Sequence, residues 1–267
     1  VAGLQDDRYS SDVVACAQVL LRLPAFDAWL RWHASVCQKS SDCLVCALCR
    51  TRGQLGQRSE PEVLRRFRQY ASGRAGQGVV ELFGALLHGL ASEELRVPGE
   101  ARRAQGESLH LGAECGGHVY RMCGFWLEER RQCSSCGRCD QQFLPEWVLR
   151  LMLPSAGQAS LPVLTDMYLM LCAPRMEQRP CYSESCRGSS RACQVQRRIV
   201  ALPQVLFLGL DRAQGADRQG VEVVEELTLP GPADAMELAA VVYRLGRGGE
   251  AGRCKCVVTA AGGGCEV

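Results

Sequence analysis

Two stretches decide the fold: GLQDDRYSSDVVACAQVLL, Gly3 to Leu21, and ELAAVVYRLGRGGEAGRCKCVV, Glu237 to Val258. The first passes from an acidic lead into apolar residues at helical spacing, with Val13, Val14, Ala17, Val19, Leu20 and Leu21 placed for a buried helix. After a break at Pro24 the periodicity resumes in LPAFDAWLRWHASV and runs to about residue 36. The second stretch is of another kind. Two β-branched runs flank a glycine-rich segment, the pattern of paired strands.

Inward from the first stretch, EPEVLRRFRQYA (60–71) begins with Pro61 beside an acidic first turn, and VVELFGALLHGLASEEL (79–95) is amphipathic; both predict helices. VPGEARRAQGESLHLGAECGG (97–117) is rich in Gly, Glu and Arg and reads as an exposed linker. Beyond it the runs are strand-like: 123–133, 140–154, 197–212, 221–230, 236–246 and 254–260, with one helical interlude, VLTDMYLMLCA, at 163–173. Helices first and a mainly antiparallel sheet afterwards predict an α+β architecture. Neither side of the linker presents a complete core, so residues 1–267 read as one domain with subdomains of about 4–112 and 113–267.

A hydrophobic content of 47 % with 22 % charged residues fits an ordinary globular chain. The net charge of +2 supplies no bulk attraction to nucleic acid, and the arginine-rich runs RRFRQYASGR and EERRQC read as solvated faces. No apolar run approaches the roughly 20 residues of a membrane span, and no signal peptide is visible. Lys39 and Lys255 are the only lysines, a bias fitting either GC-rich coding or avoidance of ubiquitin acceptor sites. Seventeen cysteines, an odd count that includes C-x-x-C pairs, favour metal thiolates in a reducing compartment over a disulfide framework. The expected location is cytoplasmic or nuclear, with no membrane partner.

Read in order, five segments resemble the ubiquitin-specific protease family along nearly the whole chain. Its opening box, G-L-x-N-x-G-N-T-C-Y-x-N-S-x-L-Q-x-L, matches Gly3, Leu4, Gln18 and Leu20 in register, and Gln77 to Phe83 resemble its Q-Q-D-A-H-E-F-L box. Cys133-Ser134-Ser135-Cys136-Gly137 followed by LRLMLP resembles its C-x-x-C-G strand, IVALPQVLFLGLDR (199–212) its I-x-x-L-P box, and MELAAVVYRLGRGGEAGRC (236–254) its Y-x-L-x-A-V-V-x-H-x-G box. The resemblance implies a papain-like cysteine-protease fold with a helical thumb (about 4–112), zinc-ribbon-like fingers and an antiparallel palm sheet (about 113–267).

The same correspondence removes the chemistry. Ser11 stands where the family has its nucleophilic Cys, Asp6 where it has the oxyanion-stabilising Asn, and Arg253 where it has the general-base His. The W-x-x-x-D-D segment that orients the base has no counterpart. Serine needs a base more than a thiol does, and arginine stays protonated. The four histidines, His33, His88, His110 and His118, all precede the region that delivers the base. The expectation is a pseudo-enzyme that binds or scaffolds, with ubiquitin, a ubiquitin-like protein or a complex subunit as partner. The degraded second box, with Gly78-Val79-Val80 in place of polar residues, weakens the ubiquitin route. Alternatives are an assembly domain like that of the poly(A)-specific nuclease scaffold, whose C-L-x-C motif resembles Cys43-Leu44-Val45-Cys46, and an active thiol hydrolase.

The family's fingers often hold a structural zinc. Cys133 and Cys136 supply a first knuckle, and Cys181-x4-Cys186 the looser second, with Cys139 and Cys193 near enough to substitute. Cys37, Cys43, Cys46 and Cys49 form another cluster, read as core packing in preference to zinc because the residues between them are apolar.

Overall fold

The computed structural model describes residues 11–38, 42–53, 79–94, 117–154, 159–212, 221–229, 236–245, 253–260 and 263–266. Asp6, the helix expected at 60–71, the linker at 97–116 and the subdomain boundary near 112 lie outside these residues. The chain forms two compact units: Val1–Met122 with Val224–Thr228 and Asp234–Val267, and Cys123–Val223 with Leu229–Ala233.

The first unit holds α1 (Ser11–Arg22), α2 (Pro24–Val36), α3 (Leu44–Gly53), α4 (Val79–Glu94) and α5 (His118–Cys123). Ala15 to Leu21 of α1 are buried without a break, so this helix is central rather than one-sided. It touches α2, α3, α4 and strands β11 and β12. Pro24 opens α2 because its fixed φ suits the first turn and its missing N–H has no helical partner to lose. Phe26, Trp29, Leu30 and His33 then follow at i, i+3, i+4 and i+7 and form the buried face. A histidine therefore ends a stripe that is otherwise apolar.

Glu94, at the end of α4, is fully buried. Its Oε1 accepts the backbone N–H of His118 at 2.7 Å and faces that residue's Nδ1 at 2.9 Å, while Oε2 accepts the N–H of Val119 at 3.0 Å. One carboxylate thus satisfies the exposed donors at the start of α5. The unit is completed by β9 (Glu226–Leu227) paired with β10 (Met236–Glu237), and by an antiparallel sheet of β11 (Ala240–Leu245), β12 (Arg253–Ala260) and β13 (Gly263–Glu266). Ser11 begins α1 and Arg253 begins β12, and these two elements pack against each other.

The second unit centres on a four-stranded antiparallel sheet in the order β2-β1-β6-β5. Its strands are β1 (Phe125–Cys133), β2 (Cys139–Glu146), β5 (Arg175–Pro180) and β6 (Ser190–Ala201). Two parallel pairs depart from the expected antiparallel pattern: β3 (Leu149–Leu153) with β7 (Leu208–Arg212), and β4 (Ala159–Ser160) with β8 (Val221–Glu222). The chain can pair β3 and β7 in parallel because α6 (Leu161–Cys172), β5 and β6 intervene between them. The run 221–230, expected as one strand, is instead two two-residue strands, β8 and β9, one in each unit.

In β1 the doublet Glu128-Glu129 is buried on both faces, where alternation would leave one side in solvent. Glu129 accepts from Arg131 Nε at 2.5 Å, Arg197 Nε at 2.6 Å and Gln142 at 3.1 Å. On the other face Glu128 accepts from Arg130, Arg198 and Gln141. Neither residue keeps appreciable solvent exposure, Glu128 at 0 % and Glu129 at 1 %. Burial pushes both carboxyl groups up, but the arginine hydrogen bonds outweigh it and hold both below the usual range. Glu177 on β5 is lowered by Arg179 and Arg175. A depressed carboxyl stabilises the fold fully above its unfolded pKa and progressively less as pH falls through its folded one. Thermal midpoints of the protein should therefore be level above about pH 5 and drop below about pH 4. Glu128→Gln with Glu129→Gln should lower the midpoint at pH 7 and flatten that acid limb; an unchanged limb would mean that these carboxylates do not carry it.

Candidate metal centres and catalytic frame

At the end of β1, Cys133 and Cys136 lie on either side of a tight turn. The Gly137 N–H donates to Cys133 O at 2.8 Å, and Gly137 adopts φ 71°, a left-handed conformation that glycine takes without a Cβ clash. The β5–β6 connection solves the same problem with two more residues. Gly188 N–H donates to Cys181 O at 2.8 Å, Arg187 N–H to Ser183 O at 2.8 Å, and Arg187 and Gly188 both have positive φ, 49° and 77°. This turn folds the four-residue spacer back on itself, so Cys181 and Cys186 present their sulfurs to one point.

The four predicted sulfurs converge, all within 4.8 Å of one another. Cys136 and Cys181 are 3.6 Å apart and Cys133 and Cys186 3.9 Å. Four thiolates at about 2.3 Å around a tetrahedral zinc stand about 3.8 Å apart, between those two values. The Ser183 hydroxyl donates to Cys136 Sγ at 3.2 Å and accepts the Cys186 N–H at 3.2 Å. That hydroxyl, with the Arg138 backbone N–H, brings the Cys136 thiol down to about 6, a thiolate at neutral pH. Backbone N–H groups of Cys136 and Ser135 lower Cys133 as well. The apolar support here is slight: the tip core is Cys133, Cys181, Cys186, Cys193 and Val195, with Cys136 packed against it. Cys139 is exposed and stands apart from this core.

The second cluster differs from the expected set. His33, Cys37, Cys43 and Cys46 bring their ligand atoms within 4.8 Å of one another, and Cys49 is not among them. The missed residue is His33. It lies in the last turn of α2, where Cys37 N–H caps the helix by donating to His33 O at 2.9 Å, and Cys43 precedes α3, with Ala47 N–H donating to Cys43 O at 3.0 Å. The packing of α2 on α3 thus joins two ligands from each side. His33 Nε2 lies 3.2 Å from Cys43 Sγ, the ring is fully buried, and among the described residues its Nδ1 finds no hydrogen-bond partner. Burial holds the imidazole at a pKa of about 4, so it is neutral and able to ligate. Burial raises the Cys43 and Cys46 thiols, which a bound cation would reverse. One imidazole and three thiols form a structural zinc donor set. The readable signal was His33-x3-Cys37-x5-Cys43-x2-Cys46, a chelating spacing that includes the histidine.

No protein-family model matches the chain, and no curated protein matches it. Among solved structures it is similar to a chain of the yeast SAGA DUBm determined with an Sgf73 mutant, with a TM-score of 0.72 and 18 % identity over 100 % of this chain and 64 % of that one. It is similar also to the SAGA Ubp8/Sgf11/Sus1/Sgf73 DUB module bound to monoubiquitin, TM-score 0.71, 18 % identity, 100 % and 65 % covered. The same module bound to ubiquitin aldehyde gives TM-score 0.68, 17 % identity, 100 % and 66 %. At these identities the likeness is one of fold, and this chain spans just under two thirds of the length of the chains it matches.

Proposed function

We propose that this chain is a catalytically inactive domain of the ubiquitin-specific protease type, used to bind or scaffold and braced by two structural zinc ions. The observation that carries the reading is the pair of elements α1 and β12. They pack together as a helix and strand delivering a nucleophile and a base would, yet they begin with Ser11 and Arg253. A serine without a base forms almost no alkoxide, and an arginine accepts no proton. Acyl transfer lacks both of its starting groups.

The partner side of the reading draws on the similar modules, which were solved with monoubiquitin and with ubiquitin aldehyde. Ubiquitin or a ubiquitin-like protein is accordingly the first partner to test. Zinc contributes by its charge and tetrahedral preference, fixing thiolates brought from separate turns. Cys133, Cys136, Cys181 and Cys186 would hold one ion, and His33, Cys37, Cys43 and Cys46 the other.

Incubated with ubiquitin carrying a fluorogenic leaving group, the protein should release no fluorophore above buffer. Turnover that Ser11→Ala abolishes would overturn inactivity. Ser11→Cys combined with Arg253→His should restore little, because Asp6 still stands where the family's oxyanion-stabilising Asn would. Calorimetric titration with ubiquitin tests the binding half separately, and absence of heat at millimolar concentration would direct the search to other complex subunits.

A further inference from the structure

The tip of the second unit carries one thiol more than a tetrahedral centre uses. Cys193 is buried in the same core as Cys133, Cys181 and Cys186, with 3 % of its surface exposed. In the β1–β6 register it stands directly opposite Cys133. Cys133 N–H donates to Arg138 O on the β2 side, while the next residue, Ser134, donates its N–H to Ala192 O on β6 at 3.0 Å. The Cys133/Cys193 pair is therefore the non-hydrogen-bonded kind, whose Cα atoms approach to about 4.5 Å with side chains facing. That separation falls inside the range of about 4.4–6.8 Å spanned by disulfides.

A second feature points to the reagent. A cavity of about 50 Å³ opens on this pair, lined by Arg131, Cys133, Arg138, Asp140, Cys181 and Cys193 among others. It admits a molecule of a few heavy atoms and no folded partner. Its wall is polar, with Arg138 paired to Asp140 at 2.9 Å and Arg131 to Glu129, so a small hydrogen-bonding reagent is accommodated there.

We propose that Cys133 and Cys193 are a peroxide-sensitive dithiol, whose disulfide withdraws one thiolate from the four-cysteine centre. The proposal rests on zinc being held there. A hydroperoxide enters the cavity and the Cys133 thiolate attacks its terminal oxygen; an S–O bond forms as the O–O bond breaks, and the other oxygen departs as hydroxide or alkoxide and takes a proton from solvent. Cys193 Sγ then attacks the oxidised sulfur, the S–S bond forms, the S–O bond breaks, and water leaves with the Cys193 proton. Two thiols lose two electrons in all, and the peroxide gains them. The remaining cysteines, Cys136, Cys181 and Cys186, are one ligand short.

The test uses the full chain and hydrogen peroxide, with released zinc followed by a colorimetric chelator and disulfides mapped by non-reducing peptide mass spectrometry. In the parent protein, zinc release should accompany a peptide linking Cys133 to Cys193, and dithiothreitol should reverse the link. Cys193→Ala should abolish that peptide and slow release from this centre roughly tenfold, since no resolving thiol remains in reach. Cys193→Ser, close in volume, should behave as Cys193→Ala does, which separates the redox role from a packing defect. Release as fast in both variants, or oxidation that links Cys133 to another cysteine, would overturn the proposal. If untreated protein holds no zinc at this centre, the metal reading fails by itself. The Cys133–Cys193 link is still expected in that protein, and its absence would sink the dithiol independently.

Discussion

Protein purified from zinc-replete medium without chelators should carry two zinc ions per chain, and His33→Ala should remove one of them and unfold much of the helical unit. The imidazole ends the buried stripe of α2 with a nitrogen that finds no hydrogen-bond partner among the described residues, and the three thiols beside it come from the α2 end and the α3 start. Without a cation, that site holds polar groups that pair poorly with each other. With one, the metal crosslinks α2 to α3, and zinc binding in small structural sites contributes about 10–16 kcal/mol of apparent free energy at neutral pH. Cys136→Ser should remove the other ion and loosen the strand tips of the second unit, while the helical unit keeps its exchange protection. Elemental analysis with region-resolved hydrogen exchange checks both. Less than half an ion per parent chain, or parent-like zinc content in His33→Ala, would rule out the His33 centre.

Glu94→Ala should lower the thermal midpoint by roughly 6–12 °C, corresponding to about 3 kcal/mol in a chain of this size. The carboxylate is fully buried and serves two backbone N–H groups of α5 and the His118 ring at once. Truncation leaves these donors without their buried acceptor, which is the costly case for a hydrogen bond. Glu94→Gln keeps an acceptor oxygen and should recover part of the loss. A midpoint within about 1 °C of the parent, well short of the shift expected from the lost hydrogen bonds, would mean that α5 is anchored by its buried residues Val119, Tyr120 and Cys123 instead.

The residues that were readable in advance are those whose neighbours in sequence are also their neighbours in space. Pro24 opens a helix by its own ring, α6 follows its apolar run, and Cys133-x2-Cys136-Gly137 encodes its turn in five residues. Cys181-x4-Cys186 looked loose because its spacer says nothing of the positive φ at Arg187 that tightens it. His33 was missed because a histidine in an apolar stripe has the spacing of a core residue, and only the docking of α2 on α3 shows it the cysteines. Glu128 and Glu129 had the look of a solvated face. Their burial depends on arginines from β6, about seventy residues later, which no local pattern announces. The parallel pairing of β3 with β7 is non-local in the same way.

The acidic doublet also bears on how the sheet avoids misfolding. Slide β6 along β1 by one position, and Glu128 meets Arg197, or Glu129 meets Arg198, in place of their native partners. One of the two interstrand charge pairs survives either displacement, so the charges discriminate weakly between correct and slipped ladders. The cysteines admit no such ambiguity. A one-residue slide carries the Cys186 turn about 3.3 Å past Cys133 and turns alternate side chains to the opposite face, so four sulfurs can no longer meet. The ion at the strand tips would then act as a proofreader, retaining the native alignment and leaving slipped ladders to reopen.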